Sequence, residues 1–270
     1  RDTMSFFNTL CEMLVILFAM AMGFLAHRLG YFNSETDQRL SKVVLNITMP
    51  AMIVAAVITG DTLPELAEVL AVLKVAAVFY LLEMVFALAA PRLLGGTPGQ
   101  KGVWRFGLVF GNIAFIGYPV ATALFGPGAL FYAVILAMPF NLLSYTLGPL
   151  MLVGAKRFQW KQLITPCTTA AVLGLFFALT RLRPPALVGE CLAFVGNVTV
   201  PLSLLVVGSL LAGLPMGQVF KSPRLWCLSA LRLLVLPGVL YIILRALGTE
   251  SLLLGITVIE MAMPVAINGS

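Results

Sequence analysis

The sequence predicts an all-α integral membrane protein, built from two five-helix repeats of opposite orientation with a broken helix in each. Three observations predict it. The 270 residues are 60% hydrophobic and 10% charged, whereas soluble domains carry about 45–50% apolar and about 25% charged residues. The apolar residues gather in runs long enough to cross a bilayer, which takes about 20 residues per helix. Two proline motifs occur in order in the first half of the chain and again, in the same order, in the second half. Mean hydropathy is +1.03, which excludes a soluble enzyme or a nucleic-acid reader.

Nine segments qualify as spans, at residues 6–26, 43–60, 66–90, 104–124, 129–153, 163–180, 189–213, 225–247 and 251–268. The first ends at His27-Arg28. The second carries Asn46-Ile47-Thr48-Met49-Pro50 and stops before Asp61. The third lies between Glu65 and Arg92 and holds Lys74 and Glu83. No charged residue occurs from Phe106 to Ala155, yet that is too long for one crossing. Gly126-Pro127-Gly128, a turn signal, divides it into spans four and five. Arg181 ends the sixth span, and the seventh carries Asn197-Val198-Thr199-Val200-Pro201. Arg232 lies in the eighth and Glu260 in the ninth.

The loops alternate in charge. Odd-numbered loops hold eleven cations, among them Arg28, Arg39, Lys42, Lys156, Arg157 and Lys161. Even-numbered loops hold three, Arg181, Arg183 and Arg245. The positive-inside rule then places the odd loops in the cytoplasm and the N-terminus outside. The net charge of +6 is thereby read as membrane orientation, not nucleic-acid binding. The first apolar run lacks a basic n-region and a small-residue cleavage site, so no cleavable signal is expected. Cys11, Cys167, Cys191 and Cys227 have no metal or redox spacing and read as apolar packing residues.

The repeat rests on two matched pairs. Asn-x-Thr-x-Pro occurs at Asn46 and at Asn197, 151 residues apart; Pro-Val-Ala occurs at Pro119 and at Pro264, 145 apart. Five spans per copy is odd, so the second copy enters the membrane upside down. The copies are residues 1–153 and 154–270. The chain starts with Arg1 and ends six residues past Pro264. The comparison therefore predicts nine spans present and a tenth missing, as in a fragment of a ten-span protein. Inverted repeats with interrupted helices at matching positions point to a secondary transporter and to its binding site.

Span four carries the richest signal: Gly107, Gly111-Asn112 and Gly117-Tyr118-Pro119. Proline removes a donor and clashes with the preceding turn, so a helix break is expected at Pro119, mirrored at Pro264. Broken backbone at membrane depth survives where it lines a cavity or is buried in protein, and a half-helix N-terminus attracts anions. Gly111, Asn112, Tyr118, Pro119, Pro264 and Asn268 are the candidate substrate-binding residues, with the Asn112 amide as donor to a carboxylate. A glycine-rich helix packed closely on a neighbour is the competing reading.

Glu260 lies one turn before Pro264. A mid-membrane carboxylate costs about 2.5–3.5 kcal/mol on insertion scales and needs a cation, a proton or a wet cavity. Glu260, Glu83 and Arg232 are the candidate ion-coupling residues, with either carboxylate as a partner for Arg232. Lys74 and Arg232 each lie about 10–12 Å from a span end, on a 1.5 Å rise, within reach of the surface by snorkelling. In the Asn-x-Thr-x-Pro kinks, Thr48 and Thr199 are expected to bond back to a freed carbonyl, and Asn46 and Asn197 to do the same or to line the path.

Enzyme readings lack residues. His27 is the one histidine, which removes a His-Glu-x-x-His metal site and leaves any Ser–His dyad with a badly placed base. No aspartate lies mid-span and no phosphate loop or dinucleotide fingerprint occurs. Catalytic residues, a metal site and a cofactor are all expected to be absent.

Several stretches resemble the auxin efflux carrier family in its bacterial branch. They are Leu45 to Ala51, Phe110 to Pro119, Gly196 to Leu202 with Gly208, and Met263 to Ala266. The resemblance implies ten helices in two inverted repeats with broken helices four and nine crossing at the centre. It implies a scaffold of spans one, two, six and seven, and a moving bundle from the rest. It also implies transport of organic anions, of the malate or malonate kind in bacteria, with Asn112, Pro119 and Pro264 at the crossing. The long central loop of plant auxin carriers is absent here.

The expected function is a secondary transporter that moves a small carboxylate across a bacterial inner membrane by alternating access, with proton or cation coupling and a homodimer left open. A sensor that binds its ligand without moving it is the alternative, and a passive channel a further rival.

Overall fold

The computed structural model describes residues 6–59, 65–153, 164–214 and 222–265. Asn268 and the loop charges Asp61, Lys156, Arg157, Lys161 and Lys221 lie outside them. Among the described residues the chain is almost entirely helical and has no strands.

Helix α1 is Phe6–Arg28. Helix α2, Ser34–Val43, runs through a π-helical turn, Val44–Thr48, into α3, Met49–Ile58. The second span is therefore one continuous helix from Ser34, nine residues earlier than the apolar run at 43 suggests. Helix α4 is Leu66–Leu94 and α5 is Pro98–Val109. A second π turn, Ile113–Gly117, leads into α6, Tyr118–Phe125. Then come α7, Ala129–Val153; α8, Pro166–Thr180; α9, Ala186–Gly196; and α10, Thr199–Ala212. Helix α11, Pro223–Ala230, passes through a third π turn, Leu231–Val235, into α12, Leu236–Ala246. Helix α13 is Ser251–Met261.

Among the described residues five helices are long and apolar enough to cross a membrane: Leu10–Arg28, Ser34–Ile58, Leu66–Leu94, Ala186–Ala212 and Pro223–Ala246. Shorter apolar helices occupy the other predicted segments. Helices α5, α8 and α11 all begin with a hydroxyl cap followed by proline: Thr97-Pro98, Thr165-Pro166 and Ser222-Pro223. The cap oxygen accepts an orphan amide, and proline at the first helical position forfeits only a donor that had no partner.

Each π turn ends two residues before a proline: Pro50, Pro119 and Pro237. In each, the residue before proline bonds five residues back, Met49 to Val44 O, Tyr118 to Ile113 O and Leu236 to Leu231 O. The wider turn carries the helix past the missing donor. Around the first π turn two backbone carbonyls accept from side chains. Cys167 Sγ donates to Leu45 O at 3.1 Å, and Asn46 Nδ2 donates to Lys42 O at 2.7 Å. Thr48 and Thr199 do not bond back as expected; both hydroxyls are buried with no partner among the described residues, because the π turn and the cysteine already serve the first kink.

The helices pack as two groups. In one, α1 lies against α10, and α3 against α8 and α9. Gly23 sits on the Leu205 backbone and Gly208 on the Met20 backbone, so that any side chain there would collide with main chain. Small residues let two membrane helices approach this closely. In the other group α4, α5 and α7 pack together, α12 packs on α4, and α13 packs on α6, α7 and α12. The outer faces are apolar and exposed, as at Phe18, Leu81, Phe194 and Leu234, which is the surface a bilayer covers. Lys74 is exposed, in keeping with snorkelling. Cys11, Cys191 and Cys227 are exposed too, not packed inside.

Candidate functional site

The centre of the second group is where two helices stop. Helix α5 ends at Val109, and the chain leaves helical geometry at Phe110 (φ −108°, ψ 89°) and Asn112 (φ −80°, ψ 62°). Helix α13 ends at Met261 and runs on as Met263-Pro264-Val265 without helix. The two broken segments meet backbone to backbone. Gly111 and Val265 form an antiparallel bridge, and Asn112 N donates to Pro264 O at 2.7 Å. The crossing is thus a single backbone bridge between otherwise helical elements, in which Pro264 O accepts the Asn112 amide left free by the break in span four.

The break in span four falls at Phe110–Asn112, not at Pro119 as the proline suggested. The π turn absorbs the lost donor of Pro119, whereas Gly111-Asn112 ends one helix and caps the next. Asn112 Oδ1 accepts from Phe115 N at 3.1 Å, and Asn112 O accepts from Gly117 N at 3.1 Å. A fresh helix N-terminus therefore starts at the crossing, with the partial positive charge such a terminus carries. In span nine the break does fall at the proline, whose ring is exposed.

A buried arginine braces the crossing. Arg232 leaves the third π turn and is 1% exposed. Its Nη1 donates to Glu83 Oε1 on α4 at 2.6 Å and also to Leu108 O. Its Nε donates to Met263 O at 3.1 Å. Leu108 and Met263 lie at the C-terminal ends of the two broken helices, where carbonyls are orphaned and the dipole is negative. One guanidinium thus ties both helix ends to α4. Arg232 does not snorkel, because these acceptors hold it inside. Its Nη2 has no partner among the described residues and lies against Gly111, where a Cβ would collide with it.

Glu260 is separate. Its side chain is fully buried, and neither carboxylate oxygen has a partner among the described residues. It lies against Gly117, where a Cβ would collide with Oε2. So Glu83, not Glu260, holds Arg232 in this conformation. Glu260 stands beside the first turn of the new half-helix instead, against Gly117.

A family model described as a membrane transport protein matches residues 8–158 and 150–270. The chain belongs to this membrane transport protein family. It is the auxin efflux carrier family that the four motifs resemble. The chain is 26% identical over 267 residues to an uncharacterised transporter of Methanothermobacter thermautotrophicus, covering 97% of this chain and 87% of the relative. It is 22% identical over 267 residues to an uncharacterised transporter of Methanocaldococcus jannaschii, covering 94% and 84%. Both relatives are archaeal.

In this family member the predicted residues distribute as follows. Gly111, Asn112 and Pro264 come together at the crossing. Tyr118 and Pro119 are buried in the second half of span four. Glu83 and Arg232 form the brace, Glu260 stands apart, and Asn268 lies outside the described residues. Sequence reasoning did not find the Leu108 and Met263 carbonyls, since backbone acceptors leave no residue signature. It also passed over Asp37, which precedes the second predicted span. Asp37 is 2% exposed and accepts from Ser209 Oγ at 2.8 Å. The helical spacing of Asp37, Ser41, Val44 and Thr48 on one face was the available signal. His27 Nδ1 lies 2.9 Å from the same hydroxyl. Because Ser209 gives its proton to Asp37, the histidine is not placed to activate it as a nucleophile.

Proposed function

We propose that the protein is a secondary transporter of small organic anions, carboxylates of the malate or malonate kind, working by alternating access. The observation that carries the reading is the crossing itself. Asn112 and Pro264 join two broken helices beside a buried guanidinium whose Nη2 has no partner among the described residues. A carboxylate at this crossing would meet the amides of a half-helix N-terminus and the Asn112 side chain, the arrangement that holds anions in transporters with discontinuous helices.

The two groups of helices support a division of labour. The group containing α1, α3, α8, α9 and α10 is the scaffold, and the group containing the crossing is the part that moves. Glu260 is the coupling residue: a buried carboxylate without a partner accepts a proton or a monovalent cation to lower its cost. Glu83 and Arg232 take part by keeping the crossing assembled. The repeat reading, with copies at 1–153 and 154–270, gains support from the same pair. Glu83 and Arg232 are 149 residues apart, between the two motif offsets, so they occupy near-equivalent positions in the copies. The loop charges support an N-terminus outside in a multi-pass protein that we place in a bacterial inner membrane, and a homodimer is compatible with the apolar outer faces.

The test is counterflow. The full chain is reconstituted in liposomes and given a panel of labelled mono- and dicarboxylates. Saturable counterflow of a carboxylate is expected, and its loss in Asn112→Ala. Ligand binding without counterflow would make the protein a sensor, and unsaturable flux would make it a channel.

A further inference from the structure

A second polar cluster is buried at the junction of three helices, away from the crossing. His27 is in the last turn of α1, Asp37 near the start of α2 and Ser209 near the end of α10. They are distant in sequence: His27 is 182 positions from Ser209 and Asp37 is 172 positions from it. Asp37 is 2% exposed and Ser209 fully buried. Asp37 Oδ1 has no partner among the described residues.

We propose that His27, Ser209 and Asp37 form a proton-binding site that loads one proton on His27 Nε2 and, when loaded, clamps α2 against α1 and α10. A serine hydroxyl has one proton to give. Ser209 gives it to Asp37 Oδ2, at 2.8 Å, because a carboxylate can only accept. Ser209 Oγ must then accept from His27 Nδ1, 2.9 Å away. The neutral imidazole is thereby fixed as the Nδ1–H tautomer, which leaves a basic lone pair on Nε2. That nitrogen points toward the end of α10, where a Cβ on Gly213 would lie 3.9 Å from it.

The step is a simple protonation. One proton from water adds to Nε2, no bond breaks, and the charge of the cluster goes from −1 to zero. An imidazolium then reaches the buried carboxylate through one hydroxyl. A charge-assisted chain of this kind is roughly twice as strong as a neutral one, and it relieves a carboxylate otherwise buried without a counter-charge.

The surrounding charges are engaged elsewhere or exposed. On α1, Arg28 stacks over Phe24 at 5.4 Å, and Glu12 is exposed about four turns away. On α2, Arg39 pairs with Glu35 at 2.5 Å on the exposed face, and Lys42 is exposed. Helix α10 and the π turn Val44–Thr48 carry no charged residue. His27 is thus the group on these elements placed to neutralise Asp37, and imidazole is the side chain whose charge changes between pH 5 and 8.

The experiment exploits His27 being the single histidine. The full chain is labelled with 15N-histidine in lipid nanodiscs, and its one imidazole spectrum is followed from pH 8.5 to pH 5. The expected result is an Nδ1-protonated neutral ring in the wild type and an Nε2-protonated ring in Ser209→Ala. Hydrogen exchange of α2, corrected for intrinsic pH dependence, is read on the same samples. Protection of α2 is expected to rise about tenfold on acidification, and the rise to vanish in His27→Gln. An Nε2-protonated neutral ring in the wild type, or wild-type α2 protection indifferent to pH, overturns the proposal. Both wild-type readings stand whether or not the variants fold, and neither depends on transport.

Discussion

Arg232 and Glu83 meet at 2.6 Å with 1% and 0% of their side chains exposed, and the arginine also holds the carbonyls of two broken helices. The pair is therefore more than a salt bridge. Removing Glu83 leaves the guanidinium two carbonyl acceptors at negative helix ends. Removing Arg232 strands a buried carboxylate and two carbonyls together. Arg232→Met is expected to cost about 3–5 kcal/mol and Glu83→Gln about 1–3 kcal/mol, measured by denaturant unfolding in micelles. Equal costs would reduce the arginine to a partner of Glu83 alone.

The double variant sharpens the same point. Buried ion pairs replaced by apolar residues of similar volume are often neutral or stabilising. Here Glu83→Leu with Arg232→Met still leaves Leu108 O and Met263 O unpaired. The double variant should remain about 1–3 kcal/mol less stable than the wild type. Full recovery would show that the carbonyls find other donors.

Gly117 and Glu260 predict a coupling between substitutions. A Cβ at Gly117 meets Glu260 Oε2, and overpacking costs about 1–3 kcal/mol. Gly117→Ala should be destabilised by about that amount. Removing the carboxylate with Glu260→Ala vacates the space, so a double-mutant cycle should return a favourable interaction energy of about 0.5–3 kcal/mol. Additive effects would mean that the carboxylate moves aside freely.

Glu260 itself is tested by splitting two transport modes. If it carries the coupling ion, Glu260→Gln removes the group that binds it but leaves the anion site. Uptake driven by a proton or cation gradient should then be lost, while substrate counterflow, which needs no net ion movement, persists. Gradient-driven uptake retained in the variant would take the coupling role away from this residue.

What the sequence discloses follows from length scales. Apolar runs of about 20 residues mark a membrane helix whatever packs on it, so the five long helices overlap segments read from hydropathy. The break in span four was misplaced because proline carries the stronger local signal. The π turn, a device of backbone spacing, let the helix continue past Pro119, while Gly111-Asn112 ended it. Arg232 looked able to reach the surface because distance from a span end was the measure available. Its burial depends on carbonyls freed 31 and 124 residues away in sequence. Asp37 was hidden for the opposite reason: an acidic residue in a polar stretch reads as solvated until its helix is laid against α10.

Asn112 has two jobs that can be separated. As a cap its Oδ1 accepts from Phe115 N; as a site residue its amide would donate to a substrate carboxylate. Aspartate caps as well as asparagine does but has no amide and repels an anion. Asn112→Asp should therefore keep the cap but bury a carboxylate, at a cost of up to about 2.5–3.5 kcal/mol for a mid-membrane charge, and abolish carboxylate counterflow. Asn112→Ala should lose both, with about 0.5–2 kcal/mol of stability gone with the cap. The backbone bond from Asn112 N to Pro264 O survives either change, so the crossing stays closed and the comparison isolates the side chain. Counterflow undiminished in Asn112→Asp would move the anion site away from this residue.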